Sequence, residues 1–176
     1  MDLQGNVTAG TGAASLTPGA VLRTVLTARY SAVFLYRLSQ RTGRWLPFLA
    51  GLIKQFNQFL TGADLAWQSS AGSGLVLFHP SGVVIGPDVR LGRDCKIQQG
   101  VTLGGLGSSH GAPPASPTIG NRVAVGAGAR VIGKIELADD CEVGANAVVT
   151  KSGPAGWVAV GIPATWRARS EHRQPQ

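Results

Sequence analysis

VVIGPDVRLGRDCKIQQGVTLG, residues 83–104, repeats every six residues. Ile85, Leu91, Ile97 and Leu103 form one apolar register, and Val83, Val89, Cys95 and Val101 form a second. After a break, residues 119–150, IGNRVAVGAGARVIGKIELADDCEVGANAVVT, resume both. The first register continues at Ile119, Val125, Val131, Leu137, Val143 and Val149, the second at Val123, Ala129, Ile135, Cys141 and Ala147. Glycine follows the first register at Gly86, Gly92, Gly104, Gly120, Gly126 and Gly144. A period of six matches neither a helix nor a plain strand alternation. It matches short strands that turn a corner every six residues and stack as a parallel β-helix. One coil cannot bury its apolar side chains alone, so stacked coils must share a core. Leu65, Ala71, Leu77 and Val83 extend the second register backwards, so the β-helix is expected to start near Asp64 and to form a domain over 61–167.

The flanks differ in character. Residues 1–17 are small, polar and Gly-rich and read as a flexible tail. Residues 18–60 read as a helical segment: Val21, Leu22, Val25, Leu26, Tyr30, Val33, Phe34 and Leu38 recur at helical spacing. Past Gly43 and Pro47, Leu49, Leu52, Ile53, Phe56 and Leu60 do so again. This segment holds most of the positive charge, in Arg23, Arg29, Arg37, Arg41, Arg44 and Lys54. A basic amphipathic helix can lie on an anionic membrane. Packing on the β-helix and on neighbouring subunits is the preferred account, and no membrane association is expected. Residues 104–118, GGLGSSHGAPPASPT, are rich in Gly, Ser and Pro and read as a loop extruded from one corner. Such a loop can cover a site without disturbing the core. After Thr150, Trp157 and Trp166 are expected to cap the last coil, and residues 168–176 form a short tail.

Composition narrows the function. The chain of 176 residues carries a formal charge of +7, with 44% apolar, 6% aromatic and 14% charged residues. The positive balance suits a phosphorylated cofactor. Nucleic acid is not expected, because no basic run interleaves with aromatics. Cys95 and Cys141 lie in the inward register and read as small buried residues, without metal spacing or a disulfide framework. No stretch is long and apolar enough to span a membrane, and the first residues lack the basic start and apolar core of a signal peptide. A cytoplasmic protein is expected.

Few ionisable groups accompany the repeat. Counting in sixes back from Ile85 puts His79 in the first register, where the following positions hold Ile or Leu. Asp64 is the only acid between Asp2 and Asp88. It precedes His79 by a little less than one eighteen-residue coil, which sets the two near one corner on adjacent coils. A carboxylate on one imidazole nitrogen fixes the tautomer and raises the basicity of the other. The pair therefore reads as an orienter and a general base acting on a substrate hydroxyl. Backbone N–H groups at Gly104 and Gly105 are candidates to support the oxyanion of a thioester under attack.

These residues carry a resemblance. HPSGVVIG at 79–86, QGVTLGG at 99–105, VGAGARVIG at 125–133, VGANAVVTK at 143–151 and VGIPA at 160–164 are similar to the serine O-acetyltransferase family of left-handed β-helix acyltransferases. The resemblance implies direct acetyl transfer from acetyl-CoA, with His79 as base and Asp64 as its partner. It implies CoA binding in a groove between neighbouring β-helices, with Gly105 and Ala127 against the pantetheine arm. Lys151 and Arg167 are candidates for the CoA phosphates by charge and location. It also implies a homotrimer, with trimers able to pair.

The chain departs from the family at several positions. Phe78 stands where serine-using members carry an acid, and Ala115 and Ser116 stand where they carry an Arg-His pair. His110 in the loop is a candidate substitute for that pair, and Phe78 and His110 are the candidate acceptor contacts. The closing Gln174–Pro175–Gln176 lacks the hydrophobic residue with which the family docks on cysteine synthase. The acceptor expected by resemblance is the hydroxyl of serine; a sugar, polysaccharide or other small alcohol is the alternative. A β-helix scaffold without activity is the reading from a different class.

Overall fold

The computed structural model describes residues 2–11, 17–106 and 115–169. The hexads fold as expected into two- and three-residue strands on three faces of a prism. The first face stacks β1 (Asp64–Leu65), β4 (Val84–Ile85), β7 (Thr102–Gly104), β10 (Arg130–Ile132) and β13 (Val148–Val149). The second stacks β2 (Ser70–Ala71), β5 (Arg90–Leu91), β8 (Thr118–Ile119) and β11 (Glu136–Leu137). The third stacks β3 (Val76–Leu77), β6 (Lys96–Ile97), β9 (Ala124–Val125), β12 (Glu142–Val143) and β14 (Trp157–Gly161), then β15 (Ala164–Ala168). All pairings are parallel except the closing β14–β15 hairpin. Both registers point inward: Ile85, Ile97, Leu103, Val89, Cys95 and Val101 are among the buried residues of one continuous core.

Two corners turn through left-handed backbone. Gly62, Gly82, Gly100, Gly128 and Asn146 stack where the third face meets the first, with φ between 57° and 75°. Gly74, Asp94, Arg122, Asp140 and Gly156 stack where the second meets the third. Such φ values favour Gly, Asn and Asp. Arg122 tolerates one because its side chain is held on the coil above: Nε and Nη2 each donate to Asp140 at 2.7 Å.

The start of the β-helix needs a correction. Leu65, Ala71 and Leu77 pair with Ile85, Leu91 and Ile97, which places them in the first register, not the second. Four residues, 86–89, join β4 to β5, whereas six, 78–83, join β3 to β4. Two extra residues shift the backward count.

The helices seal the open edge of the first coil. α1 (Asp2–Thr11), α2 (Pro18–Val25), α3 (Ala28–Gly43) and α4 (Pro47–Thr61) precede the strands. First-coil carbonyls have no earlier coil to bond, and an unpaired buried carbonyl costs stability. Gln40 Nε2 donates to Ser69 O at 2.7 Å, Arg37 to Ala71 O and Gly72 O, and Asn6 Nδ2 to Leu75 O at 3.0 Å. Asp2 Oδ1 accepts from Gly74 N and Leu75 N and pairs with Arg37. Thus residues 2–11, expected as part of a flexible tail, are helical, with Asn6 and Val7 buried. Their polar composition hid this, because the contacts are side chain to backbone.

α4 is turned against expectation. Its buried residues are Ala50, Asn57 and Thr61. Asn57 Nδ2 donates to Ala32 O of α3 at 3.0 Å. Its large apolar residues, Phe48, Leu49, Leu52, Phe56, Phe59 and Leu60, are exposed. The sequence shows a two-sided helix without showing which side packs inward.

The corner charges give a pH prediction. The Arg122 hydrogen bond holds the Asp140 carboxyl below its ordinary range, and hydrogen bonds from Asn121 do the same for Asp139. Carboxyls lowered by folding add stability above their unfolded range and lose it as pH falls through the folded one. Wild type should melt higher than an Asp139→Asn/Asp140→Asn variant at neutral pH, and the gap should close in acid. A gap independent of pH would show that these carboxylates contribute nothing through their charge.

Candidate active site

The two extra residues are His79 and Pro80. Phe78 N donates to Ile97 O at 2.9 Å, and Gln98 N to Val125 O at 3.0 Å, so Phe78 and Gln98 hold equivalent places. Gly100 N donates to Ser81 O at 3.0 Å, and Gly128 N to Gln99 O at 2.8 Å, so Ser81 and Gln99 are equivalent. Gln98 and Gln99 are adjacent, while His79 and Pro80 separate Phe78 from Ser81. His79 therefore does not occupy an apolar register position. It stands on an insertion at the corner of the third and first faces, exposed, over a buried Pro80. Among the described residues neither imidazole nitrogen has a hydrogen-bond partner, and His79 is the only histidine; His110 lies outside them.

Asp64 starts the first face just past the same corner, and its N–H donates to Val83 O at 2.8 Å. Its carboxylate is held by Lys54 of α4, with Nζ 2.5 Å from Oδ1. The structure brings Asp64 and His79 to one corner, one turn of the coil apart, without a hydrogen bond between them. Lys54 escaped the sequence reading. The available signal was its isolation, as the only lysine before Lys96 and ten residues ahead of the only nearby acid.

Phe78 lies under a cation. Arg29 of α3 donates from Nε to Phe78 O at 3.3 Å, and its guanidinium sits 5.3 Å from the ring centroid. Where serine-using relatives are expected to present an acid, this corner presents an aromatic ring covered by a positive charge.

Gly104 and Gly105 lie at a different corner, between the first and second faces. There Leu106 bridges to Ala115 and closes the root of the extruded loop. The loop expected from one corner therefore emerges, within one chain, at the corner next to the one that carries His79. A Cβ on Gly105 would come within 3.0 Å of Ser116 Oγ, whereas one on Gly104 meets no atom of the described residues within 4 Å. Ala127 sits two coils above Ser81 on the His79 corner, its N–H capped by Gln98 Oε1 at 3.2 Å. Lys151 and Arg167 are exposed, and Lys151 O accepts from Trp166 Nε1 at 3.0 Å. Trp166 also stacks on Gly153 and packs against the core of the last coil, whereas Trp157, expected to share that role, is 38% exposed on β14.

Neither cysteine is placed for covalent catalysis. Burial pushes the Cys95 thiol up to about 11, and Sγ donates to Gly120 O at 3.3 Å. Burial raises the Cys141 thiol as well. A thiol held protonated is a poor nucleophile. Among the described residues no group of His, Cys, Asp and Glu forms a metal site, and no helix is long and apolar enough to cross a membrane.

Comparisons with known proteins place the fold and the family. Residues 116–151 match the bacterial transferase hexapeptide (six repeats) family. Over 134 residues the chain is 44% identical to the serine acetyltransferase of Helicobacter pylori, covering 76% of this chain and 77% of that one. Serine acetyltransferase of Brucella abortus in complex with coenzyme A superposes with a TM-score of 0.85 at 25% identity, over 96% of this chain and 67% of that one. Soybean serine acetyltransferase complexed with serine superposes with a TM-score of 0.81 at 26% identity, over 94% and 67%.

Two measurements check this geometry. A maleimide reagent should leave native Cys95 and Cys141 unlabelled at neutral pH and label both in denaturant. Gly104→Ala should keep the wild-type circular-dichroism spectrum, since the added methyl meets no atom of the described residues within 4 Å in the protomer. Loss of the strand signal would contradict the placement of that corner.

Proposed function

The chain belongs to the serine acetyltransferase family, and from that membership we propose that it transfers acetyl from acetyl-CoA to the hydroxyl of serine, with His79 as general base. The observation that carries the reading is the His79–Pro80 insertion. It lifts an imidazole out of an otherwise regular stack, where nothing in the coil requires one. The exposed ring takes the hydroxyl proton as the serine oxygen attacks the thioester carbonyl. The C–S bond then breaks, and the imidazolium returns the proton to the departing thiolate. Asp64 fixes the ring during this cycle, turning one carboxylate oxygen to the imidazole while Lys54 keeps the other.

The placement of His79 and Gly104 at different corners supports a site shared between protomers. In a side-by-side homotrimer the His79 corner of one chain faces the Gly104–Gly105 corner of the next. The groove between them takes the pantetheine arm, with Gly105 and Ala127 on its walls and Lys151 and Arg167 toward its phosphate end. Such an assembly works as a cytoplasmic enzyme. The relatives described above are named for serine, so the sugar or polysaccharide acceptor has no support from them and is set aside. The ammonium of serine finds no acid at Phe78, where the corner presents an aromatic ring.

Release of CoA from acetyl-CoA should require serine. His79→Ala should lower kcat by at least about 10²-fold, the lower range for a general base. Wild-type turnover in that variant would remove the mechanism, and absence of CoA release with serine would remove the acceptor. Inactive His79→Ala and Gly104→Val chains, refolded together, should recover activity through hybrid sites; recovery by neither mixing ratio nor time would place the whole site within one chain.

A further inference from the structure

α4 carries a single charged residue, Lys54, and the helix runs directly into the His79 corner. It ends at Thr61, where Gly62 caps it in the left-handed conformation and donates from its N–H to Gln58 O at 2.9 Å. Gly62 is also the first residue of the corner column, and its carbonyl accepts from Gly82 N at 2.9 Å. Asp64 follows and donates from its N–H to Val83 O at 2.8 Å. The backbone at Asp64 is thus tied on one side to α4 and on the other to the segment that follows His79 and Pro80.

The side chain of Asp64 has less to hold it. Among the described residues its carboxylate has one partner, Lys54, whose Nζ lies 2.5 Å from Oδ1, and Oδ2 has none. Lys54 in turn has no partner but Asp64, and the two side chains are 27% and 34% exposed. An ion pair this open to water adds little to stability. What it fixes is direction. A free aspartate side chain moves among several rotamers, and a cation on Oδ1 selects those that leave Oδ2 open. No other helical cation is in place to do this, because Arg29, which also reaches the corner, is committed to the carbonyl and ring of Phe78.

We propose that Lys54 is a positioning residue for acetyl transfer: it acts through Asp64, holding Oδ1 so that Oδ2 is presented to the imidazole of His79. The inference rests on the reading of His79 as general base. It gives the helical segment a part in the reaction besides sealing the first coil. A carboxylate set before substrate arrives need not be ordered on the way to the transition state, and that ordering would otherwise add to the barrier. A lysine that withheld Asp64 from His79 would act in the opposite sense, and its removal would speed turnover.

Lys54→Met, Lys54→Arg, Asp64→Asn, Lys54→Met/Asp64→Asn and His79→Ala are compared with wild type for acetyl transfer from acetyl-CoA to serine. Lys54→Met should lower kcat about tenfold, with the KM for acetyl-CoA and the melting temperature unchanged. Lys54→Arg should recover most of that loss, since a guanidinium can also hold a carboxylate oxygen. In the Asp64→Asn background Lys54→Met should have no further effect, because a residue that acts through another is silent once that one is removed. Wild-type or faster turnover in Lys54→Met overturns the proposal. So does a loss that multiplies with that of Asp64→Asn, or one that Lys54→Arg leaves in place. The underlying reading fails separately: full turnover in His79→Ala, or no transfer to serine by wild type, removes it and the role of Lys54 together. Slow His79→Ala and Asp64→Asn beside a wild-type rate in Lys54→Met remove the role of Lys54 alone.

Discussion

Every coil of this protein is held by the next through one ladder of backbone hydrogen bonds. Asp64 N reaches Val83 O, Val84 N reaches Val101 O, Thr102 N reaches Ala129 O and Arg130 N reaches Ala147 O, all between 2.8 and 3.0 Å. The second and third faces repeat the arrangement. The ladder fixes which side chains face inward, since a slip of one residue would turn the whole core to water. Coil length is therefore constant wherever the ladder is unbroken. Extra residues are accommodated only at corners, as at His79–Pro80 and at the loop pinched between Leu106 and Ala115. The candidate base and the loop beside Gly104–Gly105 both lie at places where the ladder permits an insertion.

The same constraint explains what could be read in advance. Hexads from Val83 to Val149 reveal strands, corners and core because each position has one environment, repeated. Leu65, Ala71 and Leu77 were misassigned because an insertion is invisible to counting: the residues that shift the register are the informative ones. The identity of His79 as the unusual residue survived, but for a different reason. It is a histidine in an added position, not a histidine replacing an isoleucine.

The helical segment was less legible, and for a physical reason. Periodicity shows that a helix has two sides but does not say which one packs. In α4 the packed side is Ala50, Asn57 and Thr61, selected for close approach and a hydrogen bond across to α3. The N-terminal helix had no apolar period because its attachment runs through Asp2 and Asn6 to backbone atoms of the first coil. Lys54 on Asp64 and Arg29 on Phe78 likewise depend on distant segments meeting, which composition cannot reveal. Both cations stand on helices and meet the coil near the corner that carries His79, so the attachment that seals the prism also supplies the partners of Asp64 and Phe78.

The antiparallel return of β15 on β14 ends the stack. A parallel β-helix with two bare ends would be a seed for fibres, since each end offers the backbone partners that another molecule's end lacks. Here one end is occupied by Gln40, Arg37 and Asn6, and the other by the hairpin and Trp166. Growth by backbone pairing along the axis is blocked at both terminals, and the molecule escapes indefinite strand-by-strand polymerisation by the way its two extremities are finished.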